Sequence, residues 1–442
     1  MARVIPIAAV APEVSPGGGL SVQQDGPKVS PGGGLSVPPH GPKVSPGGTA
    51  SPASRTGSGL AVPPPLSLYV HWPWCVRKCP YCDFNSHQPR GEIDEAAYLA
   101  SLIADLEASL PAIWGRSVIS VFIGGGTPSL MSAAAVDRLL TAIRTRVPLQ
   151  PEAEITLEAN PGTVEADRFA GYRAAGVNRL SLGIQSFDDT KLAALGRIHS
   201  AAEARRAIDL ALDNFSRVNL DLMYALPGQS LAEAEADIAA AIASGVSHVS
   251  AYHLTLEPNT PFHHAPPDGI PDDDVSADMQ EMVEARLASA GFVHYETSAF
   301  ARGDAHGDNR CRHNLNYWTF GDYLGIGAGA HSKLSDHAAI WREARPRGPA
   351  AYMEAALTGA RFERTPVAAA DLPGEFMMNA LRLTNGVPTR LFTERTGLPP
   401  SVVEKSALAA RREGLLEGDA ARLAPTATGR RFLNRLIAGF LR

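Results

Sequence analysis

The sequence predicts an α/β protein, a partial (β/α)6 TIM-like barrel followed by a small helical, winged-helix-like domain. Three observations predict it. Apolar, strand-like runs recur along the middle of the chain with amphipathic helical stretches between them, the pattern of βαβ units and a parallel sheet. Polar residues fall at the end of every one of those strands, where barrels of this kind place their chemistry. The last part of the chain loses the strand rhythm and reads as short helices around one turn.

The six strands are expected at 66–71, 118–123, 154–158, 179–184, 218–223 and 248–254. The helices between them are expected at 93–110, 133–147, 164–175, 201–214 and 231–244. The cysteine-rich stretch follows the first strand, and Gly124, Gly125, Gly126 and Thr127 follow the second. Glu158 and Asn160 end the third, and Gln185 ends the fourth. Asp221 lies late in the fifth, and His253 and Thr255 close the sixth. A polar residue at one strand end means little; polar groups at all six point to a shared site.

Beyond the barrel, helices are expected at 372–383, 389–396 and 401–413, a hairpin at 415–423 turning on Gly418-Asp419, and a closing helix at 428–441. From Asp371 onward 11 Lys/Arg stand against 7 Asp/Glu, too mild an excess for DNA binding. The closing helix carries Arg430, Arg431 and Arg435 and could touch a membrane surface, though packing on its own domain is the plainer reading.

Residues 1–65 contain 13 Pro and 12 Gly, and VSPGGGLSV at Val14–Val22 returns at Val29–Val37. Such a repeat has almost nothing to bury and is expected to be disordered. The domain plan is thus 1–65 extension, 66–300 core, 301–365 flanking segment and 366–442 C-terminal domain.

Composition narrows the function. Hydrophobic residues make up 45% of the 442, and the net charge is only −6, so nucleic acid is not an expected partner. There is no run of the roughly 20 apolar residues that a bilayer span needs, and the start makes a poor signal peptide. Four cysteines cannot form a disulfide framework in a chain this long, and three of them fall within eight residues. A reducing, cytoplasmic setting is expected.

Those three form Cys75-Val-Arg-Lys-Cys79-Pro-Tyr-Cys82. Structural zinc is the competing reading, but it usually takes four ligands, and Cys311 is remote in sequence. Three thiolates on a [4Fe–4S] cube leave one iron free to chelate the amino and carboxylate groups of S-adenosylmethionine. The glycine run would let backbone approach that ligand. Glu158, Gln185 and Asp221 could bind its ammonium or ribose, and Tyr81 could stack on its adenine.

At this point the sequence resembles a known family. LYVHWPWCVRKCPYCDFNSH (Leu68–His87), FIGGGTPS (Phe122–Ser129), EANP (Glu158–Pro161), SLGIQSF (Ser181–Phe187), GRIHS (Gly196–Ser200), NLDLMYALPGQ (Asn219–Gln229) and CRHNLNYW (Cys311–Trp318) look like the HemN/HemW branch of radical-SAM proteins. The resemblance covers roughly residues 66–442. It implies cluster ligation by Cys75, Cys79 and Cys82 and a first S-adenosylmethionine near Tyr69, Gly125 and Glu158. In the oxidase members a second lies near Tyr81, Gly126, Thr127, Gln185, Arg197 and Asp221. Around Thr255 and His331 the sequence departs from the oxidase pattern.

Two subgroups separate on residues. The oxygen-independent coproporphyrinogen III oxidases resemble C-x3-C-x2-C-x-C, where this chain has Phe84, and a Pro/Gly repeat stands where they carry an N-terminal segment. The stretch His313-Asn314-Leu315-Asn316-Tyr317-Trp318 looks like the HNxxYW motif of the heme chaperones. The resemblance therefore implies heme, an apo-hemoprotein acceptor of the respiratory chain and an electron donor as partners. His313 is the candidate heme ligand, with His253, His263, His264 and His331 as rivals. Porphyrinogen decarboxylation and a HemN-like methyl transfer remain the alternatives.

Overall fold

A parallel strand can follow its neighbour only after a crossover, and here each crossover is a helix that covers the outer face of the sheet. The computed structural model describes residues 60, 62–163, 166–303, 307–360 and 362–441. Nearly all of the Pro/Gly repeat segment, expected to be disordered, lies outside them.

Six strands pair in parallel in chain order: β1 (Leu66–Trp72), β2 (Val118–Gly125), β3 (Leu149–Ala159), β4 (Arg179–Gln185), β5 (Val218–Tyr224) and β6 (His248–His253). The connecting helices are α1 (Glu95–Ser109), α2 (Ala133–Arg146), α3 (Ala166–Ala175), α4 (Asp189–Ala194), α5 (Ala201–Asn214) and α6 (Leu231–Ala243). Local sequence explains their starts. Ser200 with Glu203, and Ser230 with Glu233, form reciprocal capping boxes for α5 and α6. On α5 the buried Ala204, Ala207, Ile208 and Ala211 are spaced as one helical stripe.

The strands alternate faces. In β4, Leu180, Leu182 and Ile184 join the main apolar core under the helices, while Arg179, Ser181, Gly183 and Gln185 line an interior cavity. Pleat parity therefore decides which residues face the site.

After β6 come α7 (Pro261–His264) and α8 (Asp273–Ser289). The sheet then extends past both expected edges. β7 (Val293–Glu296) and β8 (Ala299–Ala301) add antiparallel strands beyond β6, so a strand runs across the expected boundary at residue 300. α9 (Arg312–Trp318) follows, and β9 (Asp322–Ile326) pairs in parallel with β1. β10 (His331–Ser335), β11 (Ile340–Ala344) and β12 (Arg364–Pro366) continue outward in antiparallel order.

Buried charges join this extension to the barrel. Asp322 sits between Arg116 at 2.9 Å and Lys333 at 3.0 Å, and Arg345 meets Asp105 of α1 at 3.0 Å. α10 (Pro349–Leu357) closes against α1, with the Tyr352 hydroxyl donating to Asp105 at 3.1 Å.

The C-terminal helices α11 (Leu372–Ala380), α12 (Thr389–Thr396) and α13 (Ser401–Arg412) stand where expected. They build a second apolar cluster that includes Phe376, Phe392, Leu436 and, from α9, Trp318. One expectation is extended and one is corrected. The segment 415–423 does fold back antiparallel, through the Leu416–Pro425 bridge and the hydrogen bonds from Glu417 N to Ala424 O at 2.9 Å and Thr426 N to Leu415 O at 3.0 Å, and its return strand β14 (Arg422–Leu423) also pairs with β13 (Val387–Pro388). The closing helix is two, α14 (Ala427–Arg431) and α15 (Leu433–Ala438), because Phe432 between them leaves the helical region at φ −110°, ψ 39°. The apolar residues Leu433, Leu436 and Ile437 of α15 are buried in their own domain. The stretch Glu95–Ile113 is long and apolar enough to cross a membrane by length and composition alone, but its Tyr98, Leu99, Leu102 and Leu106 pack into the main core.

Candidate cluster and cofactor site

The strand ends surround an open cavity. Cys75, Cys79 and Cys82 are free thiols, all half-buried, and all three line it.

The cysteine loop is held by backbone. The Gly126 amide donates to Trp72 O at 2.6 Å and the Thr127 amide to Trp74 O at 2.7 Å. This explains the glycine run differently from the sequence expectation. A Cβ on Gly126 would lie 2.5 Å from Trp74 O, and one on Gly125 would lie 2.8 Å from Trp72 O. The room that glycine leaves is taken by the cysteine loop itself.

Glu158 accepts the Gly125 amide at 3.2 Å. Burial, and then the neighbouring Asp221 carboxylate, push its pKa up to about 8. Burial also raises Asp221, against hydrogen bonds from Ser181 Oγ at 2.9 Å and Asn219 Nδ2 at 2.9 Å. Arg197 donates to Cys79 Sγ at 3.6 Å, Asn160 Oδ1 at 2.6 Å and Gly183 O at 2.8 Å, so one guanidinium joins the cysteine loop to two strand ends. Gln185 takes a left-handed φ of 68° at the end of β4, a conformation side chains rarely adopt and one that often marks functional sites.

Of the expected residues, Tyr81, Gly125, Gly126, Thr127, Glu158, Gln185, Arg197 and Asp221 line the cavity with the three cysteines. Tyr69 is not a lining residue; its hydroxyl lies 2.9 Å from His71 Nδ1, and His71 Nε2 lies 2.9 Å from Asn85 O. The Tyr69 ring stacks on that of Phe122, a lining residue, at 6.3 Å. His313 is not a lining residue either. Its Nδ1 is 3.2 Å from Ser120 Oγ, its ring lies 5.0 Å from that of Phe122, and burial lowers its pKa to about 4. The next residue, Asn314, reaches the cavity. His253 and Thr255 line it, and His331, His263 and His264 do not.

Sequence reasoning missed the lower wall: Arg179, Asn219, Ser250, Tyr252 and Asn314. It also missed what holds α9. The buried Glu154 carboxylate accepts from the Arg312 and His313 amides at 3.2 Å each and pairs with Arg217 at 2.7 Å.

The thiols fit an iron–sulfur cube better than one ion. Among the described residues no three His, Cys, Asp or Glu side chains converge tightly enough to hold a single metal. The cysteine loop instead presents three soft donors to one cavity.

Comparison with known proteins agrees with this geometry. The model of the Radical SAM superfamily matches residues 69–241, and that of the HemN C-terminal domain matches 367–432. The chain is 47% identical over 380 residues to the heme chaperone HemW of Escherichia coli K12, spanning 86% of this chain and 98% of that one. The chain belongs to the HemW family. The HemW of Mycobacterium tuberculosis H37Rv is 37% identical over 395 residues, covering 87% of this chain and 97% of that one. A mitochondrial radical S-adenosyl methionine domain-containing protein 1 of Bos taurus is 40% identical over 351 residues, covering 76% and 78% of the two chains. The solved coproporphyrinogen III oxidase HemN of E. coli superposes with a TM-score of 0.71 at 22% identity, covering 86% and 90% of the two chains, which shows a common fold. Membership in HemW and in the radical-SAM superfamily implies a [4Fe–4S] cluster and S-adenosylmethionine.

Proposed function

We propose that this chain is a heme chaperone that carries a [4Fe–4S] cluster on Cys75, Cys79 and Cys82, binds S-adenosylmethionine above Glu158, and passes heme to apoproteins. The observation that carries the reading is the 47% identity to a heme chaperone along 98% of that protein's length. The site supports it by setting three thiols, a buried carboxyl and a guanidinium around one cavity.

A bound cluster would supply one-electron chemistry to the sulfonium of S-adenosylmethionine. The chain's own residues do the rest. Arg197 sets a positive charge beside Cys79. Glu158, neutral at pH 7 while buried and empty, loses its proton to gain a cationic ammonium partner. Tyr69, through His71, fixes the carbonyl of Asn85 at the far end of the cysteine loop. Glu154 fixes α9, and with it the HNxxYW residues, against the floor of the barrel. His313 as heme ligand requires its ring to leave Ser120 and Phe122. The partners we propose are heme, an apo-hemoprotein and an electron donor, in the cytoplasm.

Anaerobic addition of hemin and, separately, coproporphyrinogen III tests the reading. Stable hemin uptake without decarboxylation is expected; formation of protoporphyrinogen overturns it in favour of the oxidase.

A further inference from the structure

The cavity floor holds a cation that sits near the Glu154 and Asp221 carboxylates but makes no hydrogen bond among the described residues. This cation, Arg179, opens β4 and is 3% exposed, and it borders the cavity. Asn314 of α9 is 4% exposed, also borders the cavity, and its Oδ1 is buried without a partner. Their polar neighbours are already engaged. Ser181 donates to Asp221 at 2.9 Å, Ser250 donates to Asn219 Oδ1 at 3.0 Å, and Asn219 donates to Asp221 at 2.9 Å. Leaving the buried Asn314 amide oxygen unmatched beside guanidinium donors that no protein group accepts is costly unless something in the cavity completes them.

We infer that Arg179 and Asn314 form a subsite for a single carboxylate, the acidic side arm of a porphyrin held edge-on in the cavity. The inference rests on the heme-chaperone reading and deepens it. Arg179 presents the planar fork that carboxylates fit bidentately. The Asn314 amide can donate its NH₂ beside it, since the two ends of an amide are interchangeable by a flip. Charge sets the class. Asp221 and Glu154 already lie near Arg179, so a dianionic phosphate is opposed more strongly than a single carboxylate. Length sets the shape. Arg179 and Gln185 are six residues apart on one strand, which spans about 20 Å. A ligand reaching from the cysteine loop to the floor must therefore be long, as a porphyrin with a propionate arm is and an amino acid is not.

The test is a titration of the full-length chain with hemin and with hemin dimethyl ester, whose propionates carry no charge. Wild type is expected to bind hemin about tenfold to a hundredfold more tightly than the ester. Arg179→Lys keeps the charge but loses the fork, and Asn314→Asp adds a repelling carboxylate. Each is expected to lower hemin affinity at least about tenfold and to leave the ester unchanged, with folding checked by circular dichroism. Equal binding of hemin and ester by wild type overturns the inference, and so does a variant that folds and keeps the full ester penalty. A wild-type chain that binds neither compound overturns the functional reading itself, and this inference with it.

Discussion

Replacing Gly126 by alanine tests how the cysteine loop is held. The new Cβ would stand 2.5 Å from Trp74 O and 2.8 Å from Trp74 C, where ordinary contact begins at 3.4 Å. The obstacle is backbone, so no side-chain rotation relieves it. The strand end and the loop must part by about 0.9 Å, which breaks the 2.7 Å bond from the Thr127 amide to Trp74 O next door. Overpacking of this kind costs about 1–3 kcal/mol, or roughly fivefold to a hundredfold in the population of the native loop. Gly418→Ala is the control, because a Cβ there meets nothing within 4 Å and its φ is ordinary. The assay is iron and sulfide content after anaerobic reconstitution, read beside the melting temperature. Gly126→Ala is expected to melt lower and load less iron than Gly418→Ala. A Gly126→Ala chain with wild-type iron and wild-type melting would refute the reasoning.

Glu158→Gln tests the raised carboxyl. Its folded pKa of about 8 lies above the usual value, so ionising it costs stability as pH rises toward 8. The cluster-free variant is expected to gain on wild type as pH rises from about 4.5 to about 8 and to hold a constant lead above that, by on the order of 2–4 kcal/mol, in denaturant titrations. Glu154 has the opposite sign. Burial resists its ionisation, but Arg179, Arg217 and two backbone amides hold its pKa below the usual carboxylate range. Its contribution is present at neutral pH and lost as pH falls through that lowered value. Glu154→Gln is expected to lose about 3–5 kcal/mol at pH 7 and progressively less in acid, read in the same titrations. Arg197→Gln removes the positive charge beside Cys79 and is expected to make the cluster harder to reduce, read as a more negative potential in a spectroscopic redox titration.

Much of the fold is legible because six strands carry long β-branched or leucine-rich runs and each crossover helix has its own stripe and cap. Ser200-x-x-Glu203 and Ser230-x-x-Glu233 mark two helix starts without any tertiary help. The outer strands were not legible. β9 to β12 are three to five residues long and contain Lys333, Arg342 and Glu343, which tertiary ion pairs make tolerable. The split at Phe432 has no sequence signal that we can identify.

Eight of the nine cofactor residues expected from motifs do line the cavity, yet its floor went unread. The signal for the floor lies in strand interiors and not at strand ends. Arg179-x-Ser181-x-Gly183-x-Gln185 and Asn219-x-Asp221 place a non-apolar residue at every second position, the mark of strands whose inner face meets a polar cavity. His313 has the chemistry of a heme ligand, but its position is set by α9, whose N-terminus Glu154 holds so that Asn314 faces the cavity.

Iron and acid-labile sulfide counted per chain after anaerobic reconstitution test the central claim most directly. Wild type should hold about four of each, as should Cys311→Ala, while Cys75→Ala, Cys79→Ala and Cys82→Ala should each fall well short. Zinc in place of iron, or an unchanged iron count in any of those last three variants, would contradict it.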